Sequence, residues 1–156
     1  MPMPASWNKL RHRSDGSMAV EFALALPILM LLIVGTIEVG RAMHHAGALE
    51  RSLRAGAVYA AHKVFPLTAT TLDEVRNIVK TGKPQSGEPY LIEGWSHASA
   101  SVDVQSLSYD LNGIPLPVIR VTANVPFDPL FQGLTNIFDA AVFTINLSHE
   151  QAYVGD

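Results

Sequence analysis

Three hydrophobic rhythms follow one another along the chain. From Phe22 to Ile37, 16 consecutive residues carry no charge. Adding Ser17 to Glu21 lengthens the run to 21 residues, or about 31 Å of helix at 1.5 Å per residue, which just spans a bilayer. Apolar positions then recur every three or four residues, at Val39, Met43, Ala46, Leu49, Leu53, Ala57, Ala60 and Val64, and the opposite face carries Glu50, Arg51, Arg54 and His62. One continuous helix from Ser17 to Phe65 is predicted, stopped by Pro66. Its narrow, Ala-rich stripe suits packing on a small sheet or against neighbouring subunits.

A shorter helical pattern comes next. Thr71-Leu72-Asp73-Glu74 reads as a capping box, Leu72, Val75, Ile78 and Val79 supply one apolar face, and Gly82 ends it. Residues 83–89 form a Pro/Gly/Ser loop. The period then falls to two. Residues 101–109 alternate Val102 and Val104 with polar positions, Asn112-Gly113 marks a turn, and residues 117–125 alternate again, which predicts a hairpin. Pro126-Phe127-Asp128-Pro129 breaks its second strand. Residues 142–149 give a third, with Val142, Thr144 and Asn146 on one face and Phe143, Ile145 and Leu147 on the other. The expected fold class is α+β, a long N-terminal helix packed on a small, about three-stranded antiparallel sheet.

Composition divides the chain further. Of its 156 residues, 48% are apolar and only 16% charged, below the roughly 25% usual for soluble domains, which suits one globular domain plus one membrane segment. Residues 1–16 hold Lys9, Arg11 and Arg13 against Asp15, leaving eight basic and thirteen acidic side chains in the remainder, a formal charge of −5. Basic residues before the span, with Glu38 and Arg41 cancelling beyond it, place the N-terminus in the cytoplasm. The expected organisation is a basic cytoplasmic leader (1–16), a transmembrane helix (17–41) and an extracytoplasmic domain (42–156). An acidic body without a stripe of Lys and Arg argues against nucleic acid as a partner. The absence of cysteine excludes disulfides and thiolate metal sites.

Glu21 is the residue that such a membrane helix does not explain. A carboxylate at the entrance of a bilayer span is costly unless it has a partner or a purpose. Gly16 stands five positions before it, just after the basic stretch Lys9-Leu10-Arg11-His12-Arg13. A cut after Gly16 would give Ser17 an α-amino group about one helical turn from Glu21, on the same face. In a bundle of helices Glu21 would meet the amine of its own chain or of a neighbour, and that pair would fix axial register. Gly16, without a Cβ, suits close approach by a protease and an extended or turned leader just outside the helix. Pro27, inside the span, removes the hydrogen bond to residue 23 and is expected to kink or loosen one turn. A secretory signal peptide fits less well, because its apolar region is shorter and ends in a small-x-small site.

The tract Gly16-Ser17-Met18-Ala19-Val20-Glu21-Phe22-Ala23-Leu24-Ala25-Leu26-Pro27, followed by Gly35-Thr36-Ile37-Glu38-Val39-Gly40-Arg41, resembles the N-terminus of TadE-like proteins, the pseudopilins of tight-adherence (Flp-type) pilus systems. The resemblance implies a pilin-like fold and cleavage after Gly16 by a prepilin peptidase, with Glu21 and Phe22 as the acidic-aromatic pair beyond the cut. It further implies residence in the bacterial inner membrane with a periplasmic body, or incorporation into the pilus. The implied partners are other pilins, pseudopilins and assembly-platform proteins, and the implied role is pilus assembly in adhesion and surface attachment. Major pilins of these systems are much shorter, and the Asp-x-Ser-x-Ser adhesion motif of large relatives is absent here. Ser17 stands where ordinary type IV pilins commonly have phenylalanine.

Other chemistry is weakly signalled. His44 and His45 are adjacent, so on a helix they point about 100° apart and do not chelate one metal unaided. Glu93 and His97 flank Gly94-Trp95-Ser96, read as loop, and Trp95 reads as core. No serine lies in a Gly-x-Ser-x-Gly elbow, and no phosphate loop is present. No catalytic residue, cofactor, metal or small-molecule substrate is expected. The competing readings are an uncut, single-span, membrane-anchored periplasmic binding module and, more remotely, a tethered hydrolase.

Overall fold

The computed structural model describes residues 15–130 and 143–154. Its elements are α1 (Asp15–Ala61), α2 (Ala69–Thr81), a 3₁₀ turn (Glu93–Ser96), β1 (Ser101–Leu111), β2 (Ile114–Pro126) and β3 (Thr144–Ala152). The chain divides into two compact units, Met1–Val39 and Gly40–Asp156, and α1 continues from the first into the second. The α+β class is the one expected.

In the first unit α1 runs through Pro27 as a helix, and its large apolar side chains, among them Phe22, Leu24, Ile28, Met30 and Ile33, are exposed on all sides. A helix that is apolar all round belongs in lipid or in a bundle of like helices. It is the one helix among the described residues long and apolar enough to cross a membrane.

The second unit is a helix-on-sheet sandwich. β1, β2 and β3 form an antiparallel sheet in that order, with β2 central. β1 and β2 are joined at Asn112-Gly113, whose φ angles of 57° and 84° suit the twist of a two-residue hairpin. Ile119, Val121, Ala123 and Val125 of β2 and Ile145 of β3 face inward onto Leu49, Leu53, Ala57, Ala60 and Ala61 of α1 and Val75 and Val79 of α2. On the outer face Arg120 Nε lies 2.6 Å from Glu150 Oε1, and Tyr109 Oη lies 3.2 Å from Glu150 Oε2. This contact holds the Glu150 carboxyl below the usual range and raises the Arg120 guanidinium.

Several details depart from the sequence reading. α1 stops at Ala61 rather than Phe65, and its last carbonyls find other donors. Val154 N donates to Ala61 O, Tyr153 Oη to Lys63 O, and the His62 Nδ1 edge lies 2.8 Å from Val58 O. Met43 is exposed and Ala42 packs inward instead, while Val64 falls beyond the helix end. α2 is capped by Thr68, whose Oγ1 accepts from Thr71 N, so Thr71 is a buried first-turn residue and not the cap. Gly82 ends α2 in the left-handed region, with its N–H donating to Ile78 O. β3 runs Thr144–Ala152, three residues further than the alternation suggested, and Val142 lies outside the described residues.

Candidate functional site

Two places concentrate polar groups where the surroundings make them conspicuous. The first is the start of α1. Ser17 and Glu21, four residues apart, share one helical face, and Ser17 Oγ donates to Glu21 Oε1 at 3.2 Å. Phe22 beside them is 63% exposed. Gly16 lies within the first turn of α1, not in an extended leader, since the helix takes in Asp15 and Gly16 as well. The Cβ position of Gly16 meets nothing within 4 Å, so its backbone is open on the side a side chain would cover. The leader charges Lys9, Arg11 and Arg13 lie outside the described residues. Among the described residues the carboxylate of Glu21 has the Ser17 hydroxyl as its hydrogen-bond partner, near the positive end of the helix dipole.

The second place is in the Gly40–Asp156 unit. Arg41 Nη1 donates to Asp128 O at 3.2 Å, Arg41 Nη2 is 3.9 Å from Glu93 Oε2, and the guanidinium sits 5.4 Å from the centroid of the Phe127 ring. His45, one turn along, meets the same ring edge-on, and Phe127 stacks on Phe143 at 4.7 Å. Asp128 Oδ2 is 2.6 Å from His97 Nε2. Burial, together with the nearby charges of Arg41 and His44, lowers the His45 pKa, opposed by Glu93.

Sequence reasoning set these residues aside singly. The structure brings them together, because the break after β2 folds Phe127 and Asp128 back over α1 and the 3₁₀ turn. Gly94 makes that turn possible: a Cβ there would lie 2.2 Å from Pro126 O and 2.6 Å from Val125 Cγ1. Trp95, in the same turn, is buried in the core, its Nε1 without a hydrogen-bond partner among the described residues. The only local hint was the proline-flanked Phe127-Asp128 pair, and the contacts it makes span up to 87 residues of sequence.

Beside this cluster opens a cleft of about 520 Å³ lined by Arg41, His45, Tyr90, Leu91, Ile92, Glu93 and Ser96. Among the described residues no three or more His, Asp or Glu side chains are grouped to hold a metal ion. Ser96 Oγ donates to Glu93 O, so it is engaged in closing the turn. The arrangement is suited to binding, through a guanidinium, an imidazole and apolar walls.

One comparison with known proteins covers the helix that carries the first place. Residues 16–58 match the family model of "TadE-like protein", so the N-terminal helix of this chain, from Gly16 through most of α1, is TadE-like. No curated protein and no solved structure matches the chain.

Proposed function

We propose, with the TadE-like N-terminal helix as the premise, that this chain is a pseudopilin or minor pilin of a tight-adherence pilus, cut after Gly16 by a prepilin peptidase and acting in assembly of the filament. The match of residues 16–58 to the TadE-like family supports an association with such a system, and α1 fits a membrane anchor. The observation that carries the finer reading is Glu21. It is an ionisable group one turn from Ser17, at the start of a helical run, Phe22 to Ile37, that carries no charge and whose large side chains are exposed.

The chemistry follows from what cleavage changes. Before the cut, Glu21 accepts a hydrogen bond from the Ser17 hydroxyl. After it, Ser17 carries a cationic amine at the helix N-terminus, so the same turn holds an ion pair. In a bundle of helices away from water an unpaired carboxylate or amine costs several kcal/mol, so subunits are held at the axial offset that pairs them. The role is structural and needs no catalytic group. The leader lies in the cytoplasm, the body in the periplasm, and the partners are the peptidase, other pilins and the inner-membrane assembly platform.

An uncut anchor carrying a periplasmic binding module is the second reading, favoured by the cleft beside Arg41. One measurement separates the two. Intact-mass analysis of protein extracted from membranes, with and without the cognate peptidase, is expected to show Ser17 as the first residue only when the peptidase is present. A chain that keeps residues 1–16 in peptidase-competent cells would leave the anchored module standing.

A further inference from the structure

The unit Gly40–Asp156 has two bare sides: the outer face of its sheet and the side of α1 turned away from the core. α1 and β2 run alongside one another in opposite directions and are tied at both ends. Arg41 Nη1 donates to Asp128 O just beyond β2, and Ala61 O accepts from Val154 N, next to Tyr153, whose N–H donates to Pro117 O. From Arg41 to Ala61 the helix rises about 30 Å at 1.5 Å per residue, and from Phe127 back to Pro117 the strand covers about 33 Å at 3.3 Å per residue. A level on one side can therefore be read across to the other.

The levels match in chemistry. About 15 Å beyond Arg41, α1 exposes Arg51, whose neighbours one turn away are Gly47, Ala48, Arg54 and Ala55, so no carboxylate of its own helix faces it. Glu50 is turned about 100° from Arg51 and lies one turn from Arg54 instead. On the outer sheet face, about 16 Å back from Phe127, Asp103 stands exposed opposite Thr122. Gln105 Nε2 donates to it at 2.7 Å. Among the described residues neither Arg51 nor Asp103 has an ion-pair partner, whereas Arg120 and Glu150, the other charges of that face, are paired with each other. Farther along, both sides turn apolar. Arg51, Ala55 and Val58 form one exposed stripe, and on the sheet Leu107 opposite Val118 is followed by Tyr109 opposite Leu116. Val58 lies at about 26 Å and Leu107 at about 30 Å.

We infer that the bodies associate side by side, the exposed stripe of α1 on one copy against the outer sheet face of the next, with Arg51 paired to Asp103 and Val58 packed on Leu107. This rests on the reading of the chain as an assembling subunit and names its neighbour. Copies anchored in one membrane keep one orientation, so levels that match within a chain also match between neighbours. A sheet covered by helices on one face leaves the other open to a further helical layer, and here the neighbour's α1 supplies it. Because stripe and sheet face are different surfaces on opposite sides of the body, the contact is heterologous and passes from copy to copy.

The absence of native cysteine provides the test. Full-length chains carrying Ala55→Cys, Gln105→Cys or both, at two exposed positions of nearly equal level, are oxidised in native membranes and separated without reductant. The double variant is expected to give a ladder of dimers, trimers and longer species, and each single variant a monomer. Adding Arg51→Glu to the double variant sets two carboxylates against each other and is expected to abolish the ladder. Adding Asp103→Arg as well reverses the pair and is expected to restore it. A double variant that stays monomeric, a single variant that dimerises or crosslinks to a different protein, a ladder that survives Arg51→Glu, or one that Asp103→Arg does not restore overturns the inference. The mass of the same bands reports cleavage. A cut chain without a ladder sinks the side-by-side contact alone, whereas an uncut chain with a ladder sinks the processing reading alone.

Discussion

The imidazole of His45 meets the ring of Phe127 edge-on, with centroids 5.4 Å apart and planes at 66°. That geometry sets the positive edge of one ring against the negative face of the other, and it fixes His45 beside Arg41, whose guanidinium lies over the same ring. The helix that leaves the apolar span is thereby fastened to the segment that follows β2. Around His45 stand Arg41 and His44 from its own helix and Glu93 from the 3₁₀ turn; desolvation by burial is the largest cause that lowers its pKa, Arg41 and His44 add to it, and Glu93 opposes it.

A dependence of stability on pH follows. The folded state disfavours the protonated imidazole, so below the ordinary histidine value of about 6.5 the unfolded chain binds more protons than the folded one. The contribution of His45 is present above that value and is lost as pH falls from it towards the lower folded value. Urea unfolding of the wild-type chain and of His45→Gln, at pH 7.5 and 5.5, is expected to show the larger loss on acidification in the wild type. The five other histidines are common to both chains, so the difference isolates His45. Equal losses would refute the assignment.

Gly94 is expected to be intolerant of any side chain. An alanine Cβ would be driven against Pro126 O, a backbone atom with no rotamer to yield. Overpacking of this kind costs about 1–3 kcal/mol, and the upper part of that range is expected for Gly94→Ala because strand and turn must separate. The loss is read as a fall in the denaturant midpoint, whereas Gly87→Ala, where a Cβ meets nothing within 4 Å, should be milder despite its positive φ.

What the sequence disclosed was what local periodicity and turn chemistry encode. Asn112-Gly113 located the hairpin because few residues accept two positive φ angles in succession, and Gly82 located the end of α2 because glycine takes a single left-handed φ without strain. The Ser17–Glu21 face was readable because four residues make about one turn. The cap of α2 was misplaced because Thr71 with Glu74 matches the capping-box spacing, whereas the cap itself, Thr68, has Thr71 and not Glu or Gln three residues on and so carries no such signal. The Arg41, Glu93 and Asp128 grouping was invisible because its members meet only after the sheet has closed, across separations that no periodic signal carries.

The buried face of α1 gives a sharper check of packing. Leu53 is fully buried between sheet and α2, whereas Met43, assigned by spacing to the same stripe, is 71% exposed. Leu53→Ala is expected to cost about 2–5 kcal/mol, the usual range for a buried leucine. Met43→Ala should stay within about 0.5 kcal/mol of wild type. Chemical denaturation of the two variants decides it, and a large cost at Met43 would show that the helix is rotated from the described orientation.

The role of Glu21 is tested by separating its charge from its hydrogen bond. Glu21→Gln keeps an acceptor for the Ser17 hydroxyl but cannot hold an ammonium group, and Glu21→Ala keeps neither. Ser17→Ala removes the hydroxyl and leaves the amine that cleavage creates. If the carboxylate serves to pair with that amine, both Glu21 variants insert into the membrane normally and lose assembly, whereas Ser17→Ala assembles. If the 3.2 Å hydroxyl contact is what counts, Glu21→Gln assembles and Ser17→Ala does not. The measurement is the amount of sheared pilus per cell, read beside the membrane-fractionated subunit. An uncompensated buried charge costs about 3–5 kcal/mol, corresponding to a shift of more than a hundredfold in an association equilibrium, so the electrostatic outcome should be near-complete loss of pili. Retained piliation in Glu21→Gln would leave the carboxylate without the purpose proposed for it.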